Sequence, residues 1–193
     1  MNLRQLLIGA TVGVASLSTP VAFGSEPIQF TDPDVRVFPA PAEIADGRSV
    51  VILPGGGYSH VAINHEGLDW APFFNSLGIT CAVVNYRLPH GDRSIPVGDA
   101  EAAIKLLKDS AEVWHLDPSK VGVMGSSAGG HLASTLATHS APELRPAFQI
   151  LFYPVISLEE AITNDGTRKG FVGETPKYEL VREYSNFHQV DSL

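Results

Sequence analysis

A chain of 193 residues has room for one domain with a substantial core and little for a second. Its composition, 44% hydrophobic and 18% charged, is that of a globular domain, neither disordered nor collagen-like. The formal charge of −8, with no Lys/Arg cluster to track a phosphate backbone, argues against nucleic acid as a partner.

In chain order, the first segment reads as a secretory signal over residues 1–24. Arg4 gives a positive start, Leu6 to Leu17 an apolar stretch, and Ala22-Phe23-Gly24 small residues where a signal peptidase reads. The stretch is short for a membrane span of about 20 residues, so the expectation is export to the periplasm or medium, with no membrane association after cleavage. Residues 25–193 then form the folded domain. Val35 to Phe38 is a short strand, closed by Pro39 and Pro41. Ser49 to Leu53 is an unbroken apolar run, the signature of a strand buried on both faces of a parallel sheet. His65 to Leu77 carries apolar residues at helical spacing and stops at Gly78, which reads as a C′ residue. Ile79 to Asn85 is the next strand, with the lone cysteine, Cys81, as a small buried residue. One cysteine also excludes an internal disulfide and a multi-cysteine zinc site.

Asp99 to Val113 reads as an amphipathic helix with Glu101 and Lys105 paired on its outer face. Lys120 to Met124 is a strand, Ala128 to Thr138 a helix, and Phe148 to Tyr153 another strand. Alternation of strand and helix from Val50 to Tyr153 predicts an α/β domain: a mainly parallel sheet with helices on both faces. Beyond Pro154 the pattern loosens. Asn164-Asp165-Gly166 reads as a turn, and Pro176 to Tyr184 as a short helix capped by Thr175.

The chemistry lies in two glycine-rich loops. Gly125-Ser126-Ser127-Ala128-Gly129 matches G-x-S-x-G, and it falls between a predicted strand and a predicted helix, the context that makes this motif specific. Glycines at 125 and 129 let strand and helix backbones approach, and Ser127 at the turn is the candidate nucleophile. A serine that only caps the helix is the plainer alternative. The Ala128 amide, at the helix N-terminus, would face developing negative charge. Pro54-Gly55-Gly56-Gly57-Tyr58 follows the Ser49 to Leu53 strand. It lacks the Lys-Ser/Thr ending of a P-loop and the G-x-G-x-x-G spacing, so an oxyanion hole built from the Gly56 and Gly57 amides with that of Ala128 fits it better than a phosphate cradle.

Together the stretches PGGGYSHVAINHEG, NYRLP, DAEAAIKLLKDSAEVWHLDPSKVGVMGSSAGGHLAS and FYPVIS resemble the α/β-hydrolase family of secreted carbohydrate esterases, the acetyl xylan esterase-like or BD-FAE-like proteins. The resemblance runs from about Ser49 to the C-terminus. It implies hydrolysis of acetyl or other short acyl esters, often on plant polysaccharide, with no metal or organic cofactor. On the matching positions it implies Ser127 as nucleophile and Gly56, Gly57 and Ala128 as oxyanion donors. It also implies Tyr58, His60 and the His65-Glu66-Gly67 segment at the entry to the site, with Tyr58 and His60 touching substrate.

In this fold the triad acid and histidine follow the serine, on loops after later strands. The sequence reaches Leu193 before either, so the expectation is an α/β-hydrolase fold lacking its last strands and helices, with activity in doubt. Local substitutes are poor. His131 lies one helical turn after Ser127 and points into packing, His60 borders the glycine loop, and His188 has only Asp191 as a neighbouring acid. Two alternatives stand beside the esterase: a non-catalytic carbohydrate-binding relic, and a serine peptidase of the prolyl-oligopeptidase kind, which shares the elbow but whose propeller domain this chain is too short to hold.

Overall fold

The computed structural model describes residues 26–190, so the expected signal segment lies outside the described residues. Six strands form one sheet: β1 (Ile28–Thr31), β2 (Asp34–Phe38), β3 (Ser49–Leu53), β4 (Thr80–Val84), β5 (Val121–Ser126) and β6 (Gln149–Phe152). Their spatial order is β1-β2-β4-β3-β5-β6. The four strands from β4 to β6 are parallel, and β1 and β2 form an antiparallel edge. The sheet is therefore mainly parallel, as the alternating pattern predicts. β1 is an addition: its residues are mostly exposed, so no apolar run announced it.

The unbroken apolar strands are buried on both faces because helices cover both. Val51 and Leu53 of β3 point to one side, where helix α2 (Ser94–Asp109) and helix α4 (Ala128–His139) pack through Ala100, Ala103, Ile104, Leu107, Leu132 and Leu136. Val50 and Ile52 point to the other, against the short helix α1 (Ala71–Ser76), which contributes Ala71 and Phe74 beside Cys81 and Met124. Cys81 is buried, as expected, and burial pushes its thiol up to about 12.

Several boundaries differ from expectation for local reasons. The helix expected over His65 to Leu77 is a 3-10 turn at Leu68–Trp70 followed by α1. Pro72 sits in the first turn of α1, where its missing N–H costs nothing, but its ring would strike a carbonyl four residues back in a longer helix. Gly78 does take the left-handed conformation, with φ +74°. The expected Asp99 to Val113 helix starts earlier, at Ser94, because Pro96 again fits a first turn. It ends at Asp109, and a short helix, α3 (Ala111–Trp114), follows. The expected Glu101–Lys105 pair is replaced by Lys105–Asp109 at the same spacing.

Asn164-Asp165-Gly166 is not an isolated turn. Asn164 caps helix α5 (Asp165–Val172), its Oδ1 accepting hydrogen bonds from the Thr167 amide at 2.9 Å and the Thr167 hydroxyl at 3.0 Å. Helix α6 spans Tyr178–Glu183, with Lys177 at its N-cap and no side-chain cap, so Thr175 does not cap it. Among the described residues no helix is long and apolar enough to cross a membrane.

Candidate active site

Because β3 lies between β4 and β5, the loop that leaves the C-terminal end of β3 runs beside the turn that leaves β5. Sequence positions 54–57 and 125–129 are thereby brought together, Leu53 pairing in register with Gly125.

Ser127 connects β5 to α4 with φ 51° and ψ −117°. A side-chain-bearing residue is rarely found there, and such strain clusters at functional sites. The turn is locked from both sides. The Ser127 amide donates to the Phe152 carbonyl at 3.0 Å, and its carbonyl accepts from the Val155 amide at 3.1 Å and the His131 amide at 3.0 Å. No side-chain cap is made by its hydroxyl, which argues against the capping alternative. Close approach fixes the glycines: a Cβ on Gly125 would lie 2.2 Å from the Gly129 carbonyl oxygen, and one on Gly129 would lie 2.0 Å from that of Leu53.

The glycine loop is held by its carbonyls. Pro54 O accepts the Tyr86 hydroxyl at 2.6 Å, Gly55 O the Ala62 amide at 2.9 Å, and Gly56 O the Ser59 and His60 amides at 3.1 and 3.3 Å. In a trans peptide the N–H points opposite to the preceding C=O. The Gly56 and Gly57 amides, whose preceding carbonyls are tied into the loop, therefore point away from those loop contacts. Neither they nor the Ala128 amide, at the first position of α4, has an acceptor among the described residues. Gly55 is packed against the elbow, since a Cβ placed on it would be 3.0 Å from Ser127 Cβ.

Tyr58 and His60 part company. Tyr58, expected to touch substrate, is a core residue 2% exposed. Its hydroxyl bonds to His131 Nδ1 at 3.0 Å, and its ring stacks on Phe171 with centroids 5.0 Å apart. The cause is tertiary: α5 crosses over the loop and encloses the ring, Gly170 lying against Tyr58 Cβ. His60 is exposed, with Nδ1 3.3 Å from the Ser59 hydroxyl.

His131 points into packing, as its place on α4 predicts. Its Nε2 is 2.9 Å from the Tyr184 carbonyl, an acceptor only, so Nε2 carries the proton and Nδ1 accepts from Tyr58. Burial lowers its pKa to about 4. His188 Nε2 pairs with Glu159 Oε1 at 2.7 Å, beside Asn186, which is anchored to residues 131–135 of α4; Asp191 lies outside the described residues. Among the described residues no imidazole hydrogen-bonds to Ser127, and no group of three metal-ligating side chains converges.

Sequence reasoning left Glu66 without a role and passed over Tyr153. Glu66 Oε2 accepts the Gly55 amide at 2.7 Å and Oε1 the Tyr153 hydroxyl at 2.8 Å. The bond to Glu66 also raises the pKa of the Tyr153 phenol.

A family model described as an alpha/beta hydrolase fold matches residues 50–185. The chain belongs to this family. It is 48% identical to an acetylxylan esterase from Xylanibacter ruminicola over 154 residues, covering 78% of this chain and 32% of that protein. It is 31% identical to a carboxylesterase from Mycobacterium tuberculosis, covering 64% of this chain and 40% of that one. A solved acetyl ester-xyloside bifunctional hydrolase from Caldicellulosiruptor lactoaceticus superposes with a TM-score of 0.74 at 35% identity, covering 82% of this chain and 61% of that one. The chain thus spans about a third of the length of the acetylxylan esterase it matches.

Proposed function

We propose that this α/β-hydrolase chain carries the nucleophile and oxyanion hole of a serine carboxylic-ester hydrolase acting on acetylated xylan. The observation that carries the reading is Ser127 at φ 51°, ψ −117°, packed against Gly55 of the glycine loop, with the Gly56, Gly57 and Ala128 amides lacking an acceptor among the described residues. Ser127 Oγ attacks the acetyl carbonyl as its proton passes to a base, and the carbonyl oxygen becomes an anion held by those amides. Collapse breaks the bond to the sugar oxygen, which takes back the proton from that base and leaves as a hydroxyl, giving acetyl-Ser127, which water hydrolyses to acetate. The similarity to the acetylxylan esterase supports the substrate class, and the apolar segment before residue 25 supports export.

The test is acetate release from acetylated xylo-oligosaccharides by the full chain and by Ser127→Ala, with mass spectrometry of the trapped acetyl-enzyme. Release that depends on Ser127 is the expected result. Release unchanged in Ser127→Ala overturns the reading. A second reading, binding without turnover, is favoured by the observation that among the described residues no imidazole hydrogen-bonds to Ser127. Oligosaccharide binding with neither acetate release nor an acetyl-enzyme decides for it.

A further inference from the structure

Glu66 lies outside both glycine motifs, yet the carboxylate of its side chain, which is 16% exposed, meets donors from both the glycine-loop and β6 sides. Oε2 takes the Gly55 amide, on the loop after β3. Oε1 takes the Tyr153 hydroxyl, directly after β6, where the backbone has φ 35°. Tyr153 adjoins Phe152, whose carbonyl receives the Ser127 amide, so one carboxylate ties the oxyanion loop to the segment that locks the elbow. Its fit is tight: a Cβ on Gly55 would come 2.6 Å from Glu66 Oε2 and 3.0 Å from Ser127 Cβ. Hydrogen bonds to a charged acceptor are roughly twice as strong as neutral ones. The Gly55 peptide is therefore clamped at both ends, Pro54 O by Tyr86 and Gly55 N by Glu66. The next amides are those of Gly56 and Gly57, and an oxyanion hole works only if its donors need no rearrangement when charge develops.

We propose that Glu66 is a positioning residue for acyl transfer, which pins the Gly55 amide and the Tyr153 hydroxyl together so that the Gly56 and Gly57 amides are held facing Ser127. It rests on Ser127 as nucleophile. A carboxylate near a developing oxyanion also opposes it, so the charge itself is a cost and the geometry is the gain. Tyr153 is the second arm: 67% exposed, its ring is fixed at the hydroxyl and stands at the edge of the site.

Phenylboronic acid reads the oxyanion hole without turnover. Ser127 Oγ adds to boron, the hydroxyl proton passes to solvent, and boron becomes a tetrahedral anion whose oxygen takes the place of the oxyanion. Calorimetry on the full chain, with Ser127→Ala as the baseline, gives the serine-dependent affinity. Glu66→Ala lowers it at least about tenfold, since losing one oxyanion donor costs about 10²–10³ in rate. Glu66→Gln, which keeps the shape and one acceptor oxygen, returns it to within about threefold of the unaltered chain, a rescue that a general loss of fold would not give. The Gly55 amide proton, shifted downfield by the carboxylate, moves upfield in Glu66→Gln, and this signal also serves where Glu66→Ala fails to fold. Serine-dependent affinity unchanged in a folded Glu66→Ala overturns the proposal, as does a Gly55 resonance that does not move. Absence of serine-dependent binding in the unaltered chain overturns the nucleophile reading and the proposed role with it, while the Gly55 resonance still reports separately whether Glu66 holds the loop.

Discussion

Adding one methyl group at Gly129 has a different consequence from adding one at Gly98, although both glycines lie in helices. On Gly129 the new carbon would sit 2.0 Å from the Leu53 carbonyl oxygen and 2.5 Å from that of Pro54, both backbone atoms at the end of β3. Ordinary contact begins at 3.4 Å, so helix α4 and β3 must part by more than an ångström, across a sheet in which Leu53 is registered with Gly125. Overpacking of this kind costs about 1–3 kcal/mol or more, against a helix-propensity gain of at most ~1 kcal/mol. Gly98 is exposed in α2 and a Cβ there meets nothing within 4 Å, so the propensity gain of about 0.5–1 kcal/mol is uncontested. With about 2–4 °C in Tm per kcal/mol at this size, Gly98→Ala raises Tm by about 1–4 °C. Gly129→Ala lowers it by several degrees and also lowers the serine-dependent boronate affinity. Thermal scans by circular dichroism, with urea midpoints at constant m, measure both variants. A Gly129→Ala protein as stable as the unaltered chain would refute the reasoning, because strand and helix would then not be in contact at the elbow.

Two more outcomes follow from the buried Tyr58–His131 pair. The imidazole of His131 takes a proton near 6.5 when unfolded but only near 4 when folded, so between these values the unfolded state binds more protons. Stability therefore rises with pH across that window, is fully present above it, and is lost as pH falls toward 4, by up to about 3 kcal/mol. Tm measured from pH 7 to pH 4 shows the fall, and His131→Gln flattens it; the same slope in the variant would sink this account. Tyr58→Phe keeps the stack on Phe171 but leaves His131 Nδ1 buried without a donor, at a cost of about 1–3 kcal/mol read from urea unfolding. An unchanged urea midpoint would mean that the bond contributes nothing.

Legibility in the sequence followed the range of the interaction that fixes each feature. The parallel strands were legible because residues such as Val50 to Leu53 and Cys81 to Val84 are apolar without interruption, and only burial on both faces asks for that. The elbow was legible because its strain, its glycines and its helix are all within a few residues of Ser127. Strand β1 was not, since its apolar-polar alternation lasts only the four residues Ile28–Thr31, most of them exposed, too short a run to stand out. Nor was α5, whose N-cap residue, Asn164, is of a type that also starts turns.

Tyr58 shows the other limit. The resemblance implies that it meets substrate, but Phe171 and His131, which bury it, lie far along the chain. The amino-acid sequence alone determines the parallel strands, the strand–turn–helix around Ser127 and the glycine run at 55–57, because these depend on local backbone sterics and side-chain period. Only the tertiary structure decides that β3 and β5 are neighbours, that Glu66 reaches back to Gly55 and across to Tyr153, and that Tyr58 belongs to the core. Those are contacts between segments distant in sequence, and they form only when the packed sheet brings the segments together.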